Sequence, residues 1–170
     1  PFSNNAEICS LPRFCENNRW PASRDAETMV RALERAAVPT YPDLPTGVGF
    51  CLYIRRALID AIGVFDPVFG LGYGEENDLC MRATLAGFRN VLCEDAFVLH
   101  LGGSSFGGKR ADLAERNMQI LLGRHPHYLD LVRAYIAADP ARPLRELALS
   151  QYRVLSEPVP GVLHVIHGHG

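Results

Sequence analysis

From Gly70 to Phe88 the chain reads GLGYGEENDLCMRATLAGF, and the spacing of its glycines constrains what can form around it. Glycines at 70, 72 and 74 weaken any helix or strand through those positions, because each gives up more backbone freedom on ordering than other residues do. Gly87 supplies a break of the kind that ends helices. The spacing therefore predicts a short helix over 75–86, entered from a glycine loop. That loop extends back through VFDPVF and is too long and too rich in aromatics for a simple turn. Loops of this sort commonly carry function.

The helix opens on three acids, Glu75, Glu76 and Asp78. Residues three, four and seven apart share a helix face, so Glu75, Asp78 and Arg82 fall on one side, with Asp78 and Arg82 able to pair. Glu76 falls in line with Leu79, Cys80 and Ala83, at the N-terminal tip of the stripe predicted to face the core. Two readings stand at this point. The acids suit the positive end of the helix dipole, with Asp78 and Arg82 forming a surface pair of little worth. Alternatively, Glu76 is a general base aimed at a bound hydroxyl.

On either side, elements alternate. Ala26, Met29, Val30, Leu33 and Ala37 recur at helical spacing and predict a helix over 22–37, ended by Pro39 and Pro42. PTGVGFCLYIRR is β-rich and predicts a strand over 48–54, followed by a short helix over 57–62 that stops at Gly63. NVLCEDAFVLH (90–100) reads as a broken strand leading into HLGGSSFGG, and from Lys109 three helical segments follow, punctuated by Pro126, Pro140 and Pro143. After the linker-like SEPVPG, residues 162–166 read as a buried strand. Strand, helix and strand in this order predict an α/β layer arrangement.

Composition narrows the function classes. A chain of 170 residues, 48% hydrophobic, is expected to bury one sizeable core, and with 17 Lys and Arg against 19 Asp and Glu it has no basic stripe for tracking nucleic acid. No nucleic-acid partner is expected. Cys9, Cys15, Cys51, Cys80 and Cys93 form an odd set without a C-x-x-C pair and read as reduced thiols of a cytosolic protein. No apolar run long enough for a bilayer and no signal-peptide pattern is visible. His125, His127, His164, His167 and His169 lack zinc-ligand spacing and read as structural or surface residues. The chain opens at Pro1, which suggests a piece of something longer.

GVGFCLYIRRALIDAIGVFDPVFGLGYGEENDLCMRATLAGFRNVLCEDAFVLHLGGSSF resembles the C-terminal half of the catalytic domain of family 2 glycosyltransferases, the inverting, nucleotide-sugar-dependent enzymes of GT-A fold. PFSNNA resembles the segment after that family's metal-binding D-x-D strand, GFCLYIRR its strand before the acceptor site, and GVFDPVF the turn into its catalytic helix. The family's acidic pair, usually Glu-Asp before x-Asp-Leu-Cys-x-Arg, stands here as Glu75, Glu76, Asn77, Asp78, Leu79, Cys80, Met81, Arg82.

The resemblance implies an α/β fold: a partial GT-A-like mixed sheet with flanking helices over 1–108, then a helical extension over 109–155. Residues 156–170 would be a linker and the first strand of a following domain, GVLHVIHGHG being similar to the opening of a GT-B type glycosyltransferase. It implies transfer of a sugar from a nucleotide-sugar donor to a glycan or other hydroxyl acceptor, with Glu76 as base. His100 would ligate a divalent cation, Mg²⁺ or Mn²⁺, and Ser104 and Ser105 would meet phosphate. Asp66, Tyr73, Glu75, Asn4 and Asn5 would line the acceptor and substrate site. The sequence has no D-x-D, so an N-terminal half of the same domain is expected as a partner, and this chain alone is expected to be inactive. Placement would be cytoplasmic, free or at the inner face of the membrane. The alternative is a non-catalytic glycan-binding or partner-docking module.

Overall fold

The structure, a computed structural model, describes residues 1–20, 25–36, 40–70, 72–101 and 110–156. Ser104, Ser105 and the strand and linker expected after Ser156 lie outside the described residues. Helix and strand are mixed. Strand β1 (Phe2–Ser3) pairs in parallel with β2 (Phe97–Val98), in the register Phe2 to Phe97 and Ser3 to Val98. Around this seam lie helices α1 (Ala26–Ala36), α2 (Arg56–Ile62), α3 (Glu75–Leu85), α4 (Arg110–Arg124), α5 (Tyr128–Ala138) and α6 (Arg142–Ser156). Among the described residues no helix is long and apolar enough to cross a membrane.

Helix α1 forms where the apolar spacing predicts it, and Asp25 accepts hydrogen bonds from the Thr28 amide and hydroxyl at its entry. Met29, Ala32, Leu33 and Ala36 of its inner face are buried, and α1 packs on α6. The main core joins Phe2, Leu11, Met29, Leu33, Leu92 and Phe97 to Tyr135, Ala148 and Tyr152 of α5 and α6. A second cluster gathers Phe69 of the glycine loop, Met81 of α3, Leu121 of α4 and Tyr128 of α5. Helices α4 to α6 thus complete the cores begun by residues 1–101. Burying side chains of this size contributes on the order of 1.5–3 kcal/mol each.

Two expectations need correction. The strand predicted over 48–54 does not form: Gly49 and Phe50 are in a turn, with the Cys51 amide donating to the Val48 carbonyl at 3.4 Å, and no ladder pairs this segment among the described residues. β-rich composition marks a segment that fits a pleated neighbour, and the described residues offer none here. The broken strand over 90–100 contracts to β2, with one isolated antiparallel bridge between Asp43 and Val91. Buried Glu94 interrupts it, because its carboxylate accepts from the Thr40 amide at 2.6 Å, the Thr40 hydroxyl at 3.0 Å and the Tyr41 amide at 2.8 Å. Those bonds tie the segment to a loop instead of to a strand.

Candidate functional site

The glycine loop is held at both ends. Asp66 accepts from the Val68 amide at 2.8 Å, capping a single 3-10 turn (Pro67–Phe69), and pairs with Arg124 of α4 at 2.9 Å. The Val68 bond first and Arg124 second hold its carboxyl below the usual range. Its side chain is therefore committed to the loop. Fully buried Asn117 of α4 donates to the carbonyls of Phe69 and Gly72, both at 2.7 Å, and fixes the loop from behind. The chain then turns through Tyr73 at φ 67° and Gly74 at φ 119° into α3. A Cβ at Gly74 would lie 3.1 Å from the Phe69 ring, so packing and backbone both require glycine there.

Glu76 emerges from this turn half-buried, above buried Leu79, Cys80 and Ala83. Its Oε1 lies 3.3 Å from where a Cβ on Gly49 would stand, and its Oε2 accepts from the Gly74 amide at 3.4 Å. Neighbouring groups register its charge. Burial first, and then Glu76, raise the carboxyl of Glu75, whose Oε2 is buried without a hydrogen-bond partner. Glu7 reaches solvent on one side, yet desolvation and then Glu76 raise it too. The Tyr128 hydroxyl is pushed up to about 12, by burial first, with Glu7 and Glu76 adding to the shift. Glu7, far away in the sequence, thus feels the same carboxylate as Glu75 does.

His100 is held against Phe50 of the 49–50 turn. Its Nδ1 is 2.6 Å from the Asn5 carbonyl oxygen, and its ring stacks on Phe50 at 4.9 Å between centroids and 9° between planes. A carbonyl only accepts, so Nδ1 carries the proton and Nε2 of the neutral ring keeps a lone pair. Asn4 is 5% exposed, and its amide group is fully engaged: Nδ2 donates to the carbonyls of Asn18 and His100, while Oδ1 accepts from the His100 amide and the Ser3 hydroxyl. Asn4 and Asn5 therefore hold His100 in place, and the Asn4 amide has no polar atom left for a substrate. Adjacent residues Gly49 and Phe50 touch Glu76 and His100 respectively, which brings the two main site candidates to one turn.

Asp78 differs from the surface residue of the capping reading. It is fully buried and accepts from Arg82 Nε at 2.7 Å, from Arg124 at 3.3 Å and from His125 Nε2 at 3.0 Å. Burial alone would raise its carboxyl, but the bonds from Arg82, His125 and Arg124 outweigh that, and it is held low. Arg82 also donates to the carbonyls of Ile62 and Val64, so this one pair ties α2, α3, α4 and the link after α4 together. Sequence reasoning missed Asn117, Arg124 and the His125 contact, because the partners are more than forty positions apart. The Gly-Phe step at 49 and 50 was visible as a glycine inside a strand pattern.

A cleft of about 480 Å³ is lined by Leu44, Val48, Phe50, Leu52, Ile54, Leu58, Leu79 and others. Glu76, Glu75, His100, Asn4, Asn5, Asp66 and Tyr73 are not in its lining. Among the described residues no three His, Cys, Asp or Glu side chains gather as a metal cage, so His100 stands as a single donor. The described residues alone do not fit a divalent-cation site. No protein-family model matches the chain, and neither does any curated protein or solved structure.

Proposed function

We propose that this chain is the acceptor-side, base-carrying half of an inverting glycosyltransferase domain of GT-A type, acting on a nucleotide-sugar donor and a hydroxyl acceptor. The observation that carries the reading is the placing of Glu76, with a carboxylate oxygen against the bare backbone of Gly49, while His100 stacks on Phe50, the next residue of the same turn. In this reading Glu76 takes the acceptor hydroxyl proton as that oxygen bonds to the anomeric carbon and the bond from that carbon to the nucleoside diphosphate breaks. Burial first, and then the neighbouring Glu76, raise the carboxyls of Glu7 and Glu75. Residues β1 and β2 would be the inner strands of a mixed sheet whose remaining strands come from a donor-binding half carrying the D-x-D. No step is routed through a metal ion.

The test uses the protein together with a donor-binding half. Nucleoside diphosphate release from a panel of nucleotide-sugars is followed with and without a sugar-alcohol acceptor, for wild type and Glu76→Gln. The expected loss in the variant is about 10²-fold or more with the fold retained. Equal turnover in the two proteins would leave Glu76 as the helix cap that its bond to the Gly74 amide also suits.

A further inference from the structure

The cleft of about 480 Å³ has no part in glycosyl transfer as proposed above, since neither Glu76 nor His100 lines it. Its volume is that of a small-molecule site; such sites run from about 300 to 1,000 Å³ and are mostly apolar, with a few polar groups that fix the ligand. Leu44 and Leu79 of the lining are buried, Val48, Leu52 and Leu58 are half-buried, and Arg55 and Arg89 are exposed. An apolar floor thus passes to a cationic rim. The two arginines are the only charged side chains of the lining, and no Asp or Glu is among its residues. Arg89 is held by Asp43 at 2.7 Å and by the Tyr41 carbonyl at 3.4 Å. The Arg55 side chain makes no hydrogen bond or ion pair among the described residues.

We propose that this cleft binds a single-chain anionic amphiphile, its hydrocarbon chain against Val48, Leu52, Leu58 and Leu79 and its carboxylate or phosphate head on Arg55. The two ends of the cleft select the two ends of the ligand. Apolar walls take a chain that leaves water with a gain in free energy for each methylene buried. A guanidinium with no protein partner offers a planar fork of N–H donors, which matches a pair of anionic oxygens and gives nothing to a cationic head. With no carboxylate in the lining, the charge of the site is complementary to an anion along its whole rim. Binding is non-covalent, and it is independent of the glycosyl-transfer reading.

The cysteines of the chain supply the test. Cys51 lines the cleft and is half-buried, whereas Cys15 is exposed and lies outside the lining, so it serves as the internal control. The 170-residue chain is titrated with dodecyl phosphate and with dodecanoate, below micelle formation, and alkylation of each thiol by iodoacetamide is followed by mass spectrometry. At about ten times its dissociation constant a probe should slow Cys51 about tenfold and leave Cys15 unchanged, and the tighter of the two probes identifies the head group. Across octyl, decyl and dodecyl phosphate, each added methylene should tighten binding about fourfold. Arg55→Glu and Leu58→Asp should each weaken it about tenfold or more. Both stand at or within the first turn of α2, which buries no side chain and suits acids there, so both variants should keep the wild-type circular dichroism. Equal protection of Cys51 by dodecyltrimethylammonium overturns the proposal, as does unchanged binding in Arg55→Glu or no protection by either anionic probe. Protection that grows with protein concentration in the absence of a probe also overturns it, because a second copy would then cover the cleft.

Discussion

The imidazole of His100 lies nearly parallel on the ring of Phe50, 4.9 Å between centroids, with its Nδ1 turned to the Asn5 carbonyl. Stacking and hydrogen bond together allow one orientation of the ring. The neutral side chain should therefore be in the Nδ1–H tautomer, which ¹⁵N chemical shifts of the imidazole nitrogens report directly. Asn4→Ala removes the bonds that hold the His100 backbone, and should mix the tautomers. Finding Nε2–H in the wild type would show that the Asn5 contact does not control the ring.

Gly49 offers a test of Glu76 without altering the carboxylate. A Cβ at 49 would meet Oε1 at 3.3 Å, which a flexible glutamate relieves by moving a few tenths of an ångström. Gly49→Ala is expected to lower turnover of the glycosyl-transfer reaction several-fold, in line with the sensitivity of reactions to small misplacements. Stability should shift by less than about 1 kcal/mol. Unchanged turnover alongside a large loss of stability would mean that the glycine serves packing alone.

Glu75 should reveal itself in the pH dependence of stability. Its folded carboxyl is raised above the ordinary value, by burial first, so its contribution is most favourable at low pH and is lost as pH rises through the folded value. Glu75→Gln, neutral at every pH, should therefore be more stable than wild type near pH 7. Urea midpoints of the two proteins should converge as the pH falls below about 4. A variant less stable at pH 7 would show that the helix dipole outweighs burial at this position.

Asp78 works in the opposite sense. Its folded carboxyl is held low, so its stabilisation is present above the unfolded value of about 3.9 and is lost as pH falls through the folded one. Asp78→Asn should cost about 2 to 3 kcal/mol at pH 7, because the amide replaces a buried carboxylate that serves Arg82, Arg124 and His125. The gap to wild type should narrow below pH 4 in denaturant titrations. A cost of only a few tenths would return Asp78 to the class of weak surface pairs.

Local patterns in the sequence carried the helices and part of the site. Met29 and Leu33 mark the buried face of α1, Gly87 follows the end of α3, and the line from Glu76 through Leu79, Cys80 and Ala83 foretells which acid stands over the core. Where the outcome depended on a partner far along the chain, the sequence was silent. Among the described residues the strand pattern at 48–54 has no neighbour to pair with, and Arg124 of α4 and His125 just after it cover the Asp78 carboxylate on a face that α3 alone would leave wet. Asn117 and the Asn4–His100 bonds are likewise long-range, and a single sequence gives no sign of such pairings.

The pairing of Phe2 with Phe97 carries a kinetic consequence. Closing a loop of roughly a hundred residues costs about 4 kcal/mol of chain entropy beyond a constant, and only two residues on each strand repay it directly. Parallel pairing of this reach is slow to form, so the helices should assemble before the seam does. His100 lies two residues past β2 and depends on Asn4 and Asn5 just past β1. Its correct placement should therefore be among the last events of folding, after most of the helical signal has been recovered.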